Sequence, residues 1–296
     1  MNLSELFEEF YQYLVFIRGL RPNTIRRFKS IFNFYLSHTG SQTINELNEP
    51  NLMRFFKDGR EQRGWSPNTY LNYHKSLNVF CKWCISQGYL KNNPVDVIEA
   101  PRPVSVPRRK LSRVEAEHLL DTVFNYPYPN EFLRYRNHAI FATFLFTGIR
   151  KSELTSLMVQ DVDLTSLSLY VRNGKGGKSR TIPINLTLAT SLRNYLVERN
   201  KRGKTCPKFF TSFNRNMGFT NSGFKHLVRK MRKASGVSFN IHILRHTFAT
   251  LMLESGCDIY SLSKLLGHSE ITTTAIYLNS SANHLRKQIM SHPMEI

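Results

Sequence analysis

Residues 240–279 read NIHILRHTFATLMLESGCDIYSLSKLLGHSEITTTAIYLN, and the second half of the fold is organised around them. Apolar side chains recur at helical spacing near the start of this stretch, which predicts an amphipathic helix. They are Ile241, Leu244, Phe248 and Leu251. Gly256 can end that helix, Asp258 can cap the start of the next one, and Gly267 can end the second helix. The stretch therefore predicts two helices followed by a turn.

Polar side chains in the same stretch suggest a reactive site. His242 and Arg245 are three residues apart, so on a helix they are neighbours and can point at one target. His268 falls in the turn, and Ser269 can open a last short helix that carries Tyr277. A guanidinium, two imidazoles and a phenol gathered by one helical unit indicate phosphate chemistry with a tyrosine nucleophile.

Three segments together carry a family resemblance. HILRHTFAT at 242–250, LLGHSEITTTAIY at 265–277 and TGIRKSEL at 147–154 resemble the signature boxes of the tyrosine recombinase (phage-type integrase) family, and most of all its compact Xer-like members. The order and the spacing of the boxes agree with the family, and the resemblance covers nearly the whole chain. It implies a mainly α fold, with an N-terminal four-helix DNA-binding domain and an α-rich catalytic domain that includes a small antiparallel β-sheet.

The resemblance also implies a catalytic set for cutting DNA. Its members are Arg150, Lys175, His242, Arg245, His268 and Tyr277. Tyr277 would attack the phosphorus, leaving a 3′-phosphotyrosine bond and a free 5′ hydroxyl. Two guanidinium groups can hold the non-bridging oxygens with planar, permanently charged donors. Imidazole titrates near neutral pH, so the two histidines can donate to the phosphate or move protons.

The lysine of this set comes from a predicted hairpin. LSLYVR at 167–172 and SRTIPI at 179–184 are β-like runs, and the glycine-rich segment between them is a turn. On spacing alone, Lys175 is an ordinary solvated turn residue. The resemblance of NGKGGKSRTIPI to the family's catalytic hairpin favours Lys175 as the acid for the departing 5′ oxygen, with Lys178 as the alternative.

The same chemistry predicts that no cofactor is needed. The phosphotyrosine bond keeps the energy of the broken linkage, so strands can be rejoined without ATP. Several fixed cations make a metal ion unnecessary, and the acidic residues are too scattered to form a carboxylate cage. Cys81 and Cys84 form CKWC inside a helical pattern, which favours small buried residues over a zinc or redox site.

The charge of the chain indicates its partner. Lys and Arg number 41 against 21 Asp and Glu, which is a formal net charge of +20 in 296 residues. Such an excess favours a polyanion, and nucleic acid above others, with a basic ribosomal or membrane-surface protein as the alternative. The resemblance implies that the nucleic acid is double-stranded DNA. No apolar run approaches the ~20 residues of a membrane span. The start, MNLSELFEEFYQYL, is acidic and amphipathic, unlike a secretory signal, so a cytoplasmic, nucleoid-associated protein is expected.

Composition divides the chain into two domains. Residues 1–100 show about four helical patterns, in which RPNTI and SPNTY place Pro22 and Pro67 at the first turn of a helix. Residues 101–110 hold three prolines and four basic side chains, which predicts a linker. Residues 111–296 are expected to form the catalytic domain with a C-terminal tail, beginning with a helix capped by Ser112 and Glu115.

Basic side chains on predicted helices are candidates for contact with DNA phosphates, although each could equally belong to a solvated face. Those selected are Arg21, Arg26, Arg27, Lys75, Arg229 and Lys230. The resemblance implies that two domains close around the duplex as a clamp.

The resemblance further implies a homotetramer on paired sites, formed from monomers or dimers before synapsis. It leaves open whether accessory proteins take part. The tail would pack on a neighbouring protomer or, alternatively, on its own domain. Two other functions are compatible with the sequence. One is a type IB-like topoisomerase that nicks, swivels and reseals, and the other is a DNA-binding regulator without catalysis.

Overall fold

The computed structural model describes residues 1–102, 109–172, 179–268, 270–275, 277 and 289–290. The chain separates into two compact units, Met1–Val106 and Pro107–Ile296, and each is described by itself. Within the described residues, no helix combines the length and the apolar character that crossing a membrane requires.

The described residues of the first unit form four α-helices. They are α1 (Leu3–Gln12), α2 (Pro22–Thr39), α3 (Glu49–Glu61) and α4 (Pro67–Ser86). Pro22 and Pro67 occupy the first turns of α2 and α4, as predicted, because a missing amide donor costs nothing at that position. A π-helical turn, Tyr13–Ile17, extends α1.

Aromatic rings fill the core of the first unit. Phe7 stacks on Phe32 with a centroid distance of 4.3 Å, and Phe10 meets Phe80 edge-on at 5.3 Å. Cys81 and Cys84 are buried free thiols of this core, and burial raises the pKa of the Cys84 thiol to about 12. A thiol held protonated in this way is a packing residue.

The second unit is built around one buried helix. Its helices are α5 (Arg113–Asn125), α6 (Glu131–Thr147), α7 (Lys151–Ser156), α8 (Leu186–Lys201), α9 (Asn221–Ser235), α10 (Ile241–Glu254), α11 (Ile259–Leu266) and α12 (Thr272–Ala275). α6 packs against α5, α8 and α10. It begins at Glu131, where the side chain of Asn130 caps it by accepting the Leu133 amide at 3.0 Å.

A small antiparallel sheet accompanies these helices. Its strands, in the order β1–β2–β3, are β1 (Val162–Asp163), β2 (Ser168–Val171) and β3 (Arg180–Pro183). Leu169 pairs with Ile182, and Val171 pairs with Arg180. The predicted fold class, mainly α with a small antiparallel sheet, is confirmed.

One local prediction is corrected. Tyr277 was expected on the last short helix, but α12 ends at Ala275 and Tyr277 lies two residues beyond it. The Tyr277 amide donates to the Thr274 carbonyl at 3.0 Å, which is a turn-type bond to the third preceding residue. Ser269, the expected start of that helix, lies outside the described residues.

Candidate active site

Arg150 lies at the junction of α6 and α7. Gly148 ends α6 in the left-handed region (φ +59°), and a Cβ there would lie 2.3 Å from Phe248 Cδ1, so only glycine fits this turn. Arg150 then forms the N-cap of α7. Its amide donates to Glu153 Oε2 at 2.9 Å, its Nη1 donates to Glu153 Oε1 at 2.8 Å, and its Nη2 donates to the Gly267 carbonyl at 3.0 Å.

Glu153 is the buried anion of the site, with its side chain 4% exposed. Arg180 donates from Nη1 to Oε1 at 3.0 Å and from Nη2 to Oε2 at 2.9 Å, which makes a bidentate pair. Burial alone would raise the pKa of Glu153. The hydrogen bonds and charges of Arg180 and Arg150 outweigh that effect and lower the pKa to about 2. Glu153 is therefore ionised at any physiological pH.

Arg245 projects from α10 and is buried, with 7% of its surface exposed. Its Nη1 donates to the Gly148 carbonyl at 2.6 Å, and its Nη2 donates to the Leu266 carbonyl at 2.7 Å and lies 3.0 Å from His268 Nε2. Burial, followed by the charge of Arg150, lowers the pKa of the Arg245 guanidinium to about 10. It stays protonated at neutral pH.

The end of α11 is the point at which these groups meet. The last carbonyls of a helix lack partners within the helix. Those of Ser263 and Lys264 accept the amides of His268 and Gly267. The next three carbonyls accept guanidinium donors: Leu265 from Arg180, Leu266 from Arg245 and Gly267 from Arg150. We call residues 265–267 the arginine-bound turn.

His268 directly follows the arginine-bound turn. Its Nδ1 lies 2.8 Å from Thr274 Oγ1, and its Nε2 faces the Arg245 guanidinium. A guanidinium only donates, so Nε2 must accept from Arg245. We therefore assign the neutral tautomer that carries its proton on Nδ1 and donates it to Thr274.

Tyr277 lies against this cluster and is 5% exposed. Its ring is nearly parallel to that of His268, with centroids 6.5 Å apart, and it lies 5.2 Å from the ring of His246. The structure thus gathers four of the predicted residues around one turn. They are Arg150, Arg245, His268 and Tyr277.

The structure does not place the other two predicted catalytic residues in this cluster. His242 lies on the first turn of α10, one turn before Arg245, and its exposed side chain makes no hydrogen bond to a described residue. Lys175 and the alternative Lys178 lie outside the described residues.

Arg180 and His246 were not predicted. The sequence signal for Arg180 is weak, since an arginine at the start of a strand is usually solvated. His246 follows Arg245 directly within HILRHTFAT, and it lies one helical turn after His242.

The DNA-binding candidates lie on three helices. Arg21 precedes α2 as its N-cap, and the side chains of Arg26, Arg27 and Lys75 are exposed. Arg229 is also exposed on α9. Lys230 is half-buried, because its Nζ lies 4.3 Å from the centre of the Tyr126 ring. In the part of the chain that the structure describes, no three His, Cys, Asp or Glu side chains are grouped to hold a metal ion.

Known proteins are similar to this chain in sequence and in fold. The model of the phage integrase family matches residues 109–284. The tyrosine recombinase XerD of Listeria monocytogenes serovar 1/2a (strain ATCC BAA-679 / EGD-e) is 31% identical over 295 residues, covering 96% of this chain and 97% of that protein. The tyrosine recombinase XerA of Thermococcus kodakarensis (strain ATCC BAA-918 / JCM 12380 / KOD1) is 33% identical, over 96% of this chain and 94% of that protein.

A solved structure agrees with these relatives. The XerH site-specific recombinase, bound to palindromic difH substrate in a post-cleavage complex, has a TM-score of 0.74 at 22% identity, over 93% of this chain and 81% of that chain. This likeness shows the shared fold. The chain belongs to the phage integrase family. It is a tyrosine recombinase, an enzyme that breaks and rejoins DNA strands at specific sites.

Proposed function

We propose that Tyr277 is the nucleophile of this recombinase. The observation that carries the proposal is the convergence of Tyr277, His268 and two arginines on the arginine-bound turn. The Tyr277 oxygen attacks the phosphorus, the bond from phosphorus to the 5′ oxygen breaks, and that oxygen takes a proton. The products are a 3′-phosphotyrosine bond and a free 5′ hydroxyl, and the reverse steps join a strand without ATP.

Arg150 and Arg245 would bind the non-bridging oxygens of the attacked phosphate. Both guanidiniums are oriented by backbone carbonyls, so they need no rearrangement to face the charge that develops in the transition state. Arg245 donates to His268 as well, which keeps the imidazole close to the same phosphate. Donors that are already oriented contribute more than flexible ones in a site that excludes water.

Three further roles complete the proposal. His268, whose Nε2 carries no proton in the assigned tautomer, accepts the proton of the tyrosine at that atom. His242 is exposed one helical turn before Arg245, where an approaching phosphate can meet it. Lys175 donates the proton to the departing 5′ oxygen.

Double-stranded DNA is the substrate, and we propose a homotetramer on paired sites, formed from monomers or dimers. The compact units Met1–Val106 and Pro107–Ile296 support a helical DNA-binding domain at 1–100, a linker at 101–110 and a catalytic domain at 111–296. Arg21, Arg26, Arg27, Lys75, Arg229 and Lys230 are the proposed phosphate contacts. The reaction is proposed to occur on chromosomal or mobile-element DNA in the cytoplasm, with no cofactor or metal.

A trapping experiment tests the nucleophile. The wild-type protein is incubated in EDTA with sheared DNA from its source organism and is then denatured. It should be recovered covalently attached to DNA of a few related sequences. Tyr277→Phe should form no adduct while binding DNA as tightly as the wild type, because only the attacking oxygen is lost. Tyr260→Phe is the matched control, since Tyr260 is an exposed tyrosine of α11, and it should form normal adducts.

Three outcomes of this experiment contradict the proposal. Adducts that persist in Tyr277→Phe assign the nucleophile elsewhere. Tight DNA binding by the wild type without adducts, even on nicked duplexes, favours a non-catalytic regulator. Adducts spread evenly over all sequences favour a swivelling topoisomerase.

A further inference from the structure

Arg180 occupies an unusual position for an arginine at the start of a strand. It is the first residue of β3, and its side chain is only 11% exposed. All three of its nitrogen atoms donate to protein acceptors. Nη1 and Nη2 bind the two oxygens of Glu153, and Nε binds the Leu265 carbonyl at 2.8 Å. Arg180 therefore joins β3, α7 and the end of α11.

Arg180 also packs closely under the turn that leads to His268. A Cβ on Gly267 would lie 2.8 Å from Arg180 Nη1 and 2.9 Å from Arg180 Cζ. The guanidinium thus lies against the backbone of Gly267, the residue whose carbonyl binds Arg150. A shift of the Arg180 side chain would be passed to the arginine-bound turn, and through it to His268.

The shared carboxylate links Arg180 to Arg150. Glu153 Oε1 accepts from Nη1 of both arginines, and Oε2 accepts from the Arg150 amide and from Arg180 Nη2. Four donors occupy all the acceptor positions of this carboxylate. Glu153 therefore cannot rotate, and it holds the Arg150 guanidinium in one orientation.

The shared carboxylate also sets the charge near the reacting phosphate. With Arg180 present, one buried anion is divided between two guanidiniums, so Arg150 keeps positive charge for the substrate. Without Arg180, Glu153 would neutralise Arg150 alone. The stabilisation of a transition-state oxyanion by Arg150 would then fall.

We propose that Arg180 is a positioning residue for strand cleavage, which orients Arg150 and the turn carrying His268 without contacting the phosphate itself. This inference rests on the proposed function of Arg150 and His268. It assigns to β3 a part in catalysis that is separate from the role proposed for Lys175.

The test compares Arg180 with Arg172, which directly follows β2, the strand next to β3. Arg172 also forms a close ion pair, from its Nε to Asp161 Oδ1 at 2.6 Å, but neither residue of this pair hydrogen-bonds to Arg150 or to the arginine-bound turn. The substrate is a nicked duplex that carries a site recovered by trapping with the wild-type protein. Adduct formation is followed in a single turnover at saturating DNA, and the Kd for the same duplex is measured separately.

Arg180→Ala should slow adduct formation by roughly 100-fold, a loss that displacing a catalytic group by about 1 Å can cause. The Kd should stay within about twofold of the wild type, because binding energy comes mainly from contacts elsewhere on the duplex. Arg172→Ala should change neither quantity appreciably. Arg180→Lys should fall between Arg180→Ala and the wild type, because a point charge cannot form the bidentate pair.

Chemical rescue separates positioning from folding. Guanidinium ion at low, non-denaturing concentration should restore part of the rate of Arg180→Ala, by filling the space beside Glu153, and should leave Arg172→Ala unchanged. If Arg180→Ala does not fold, Arg180→Lys, checked for a wild-type melting temperature, supplies the rate comparison.

Each failure has its own signature. Equal rates for Arg180→Ala and Arg172→Ala, with wild-type adducts intact, overturn the inference and leave the proposed function standing. A weaker Kd with an unchanged rate would make Arg180 a DNA-binding residue instead. If the wild-type protein forms no adduct at any site, the proposed function fails and the inference falls with it.

Discussion

Glu153 shows how single residues set the chemistry of this site. Two guanidiniums and one amide donate to its carboxylate, and the pKa is lowered to about 2 from an ordinary value of 4.5. The group is therefore a permanent anion that organises cations. A general acid or base would need a pKa near neutral pH, which excludes that role for Glu153.

The lowered pKa predicts how stability depends on pH. Because the folded-state pKa lies below the unfolded value, the contribution is complete above about pH 4.5 and is lost as the pH falls toward about 2. Its size is about 3 kcal/mol. The free energy of unfolding, measured with urea at each pH across this range, should fall steeply in the wild type. It should change much less with pH in Glu153→Gln.

Glu117→Gln is the control for that measurement. Glu117 pairs with Arg113 on α5, where both side chains are exposed. An exposed pair of this kind contributes little, so the control should follow the wild-type profile. If Glu153→Gln does the same, the two arginines do not stabilise the carboxylate as described.

Residues within the motifs, and Glu153 as the nearby partner of Arg150, could be located from the sequence, but partners from distant segments could not. Arg150, Arg245, His268 and Tyr277 stand in boxes whose order and spacing resemble a family, and their catalytic roles stay predictions. Arg180 lies in the hairpin segment that also resembles the family, but that resemblance gave a role only to its lysines. The importance of Arg180 follows from a carboxylate 27 residues away and from a carbonyl 85 residues away, and no local pattern predicts contacts over those distances.

At the scale of elements, local chemistry predicted several helix ends. Ser112 and Glu115 form the expected capping box of α5, Asp258 caps α11, and Gly267 ends α11 in the left-handed region. These signals are local, so the sequence carries them directly. β1 was missed because its two residues show no alternation of their own, and it exists only through its pairing with β2.

Gly148 combines a backbone requirement with a close approach, which gives a prediction at this scale. In Gly148→Ala the new methyl group would lie 2.3 Å from Phe248 Cδ1 and 3.0 Å from Leu266 Cδ2. Displacing these buried side chains adds about 1–3 kcal/mol to the backbone strain. This loss of stability should appear as a lower urea concentration at the midpoint of unfolding.

Gly236→Ala is the matched control for steric contact. Gly236 ends α9 with φ +68°, and no atom lies within 4 Å of the position that a methyl group would take there. Only the backbone strain, about 1–2 kcal/mol, applies at this position. Equal losses in the two variants would show that the core around Phe248 adjusts freely to the added methyl group.

At the scale of the whole molecule, the net charge of +20 dominates the encounter with DNA. Binding should weaken steeply as salt rises, because each neutralised phosphate releases counterions. Replacing both Arg26 and Arg27 by Ala should reduce the slope of log K against log salt by about 2. Fluorescence anisotropy over a salt series measures this slope.

Lys29→Ala is the control on the same helix. Its Nζ lies 3.2 Å from Glu8 Oε2 and 4.5 Å from the centre of the Tyr11 ring, so its charge is already compensated. The salt slope should not change in this variant. A slope unchanged in the double arginine variant would remove this face of α2 from the DNA interface.

The arginine-bound turn has a consequence for the order in which activity arises during synthesis. Its donors come from segments 21, 85 and 117 residues earlier in the sequence, so it can close only after most of the second unit has been made. Tyr277 follows every other member of the proposed catalytic set. The first unit can fold while the ribosome is still translating the rest. With the DNA-binding role proposed for the first unit, a half-made chain binds DNA before it can cut it, and the order of translation delays strand cleavage until Tyr277 has been made.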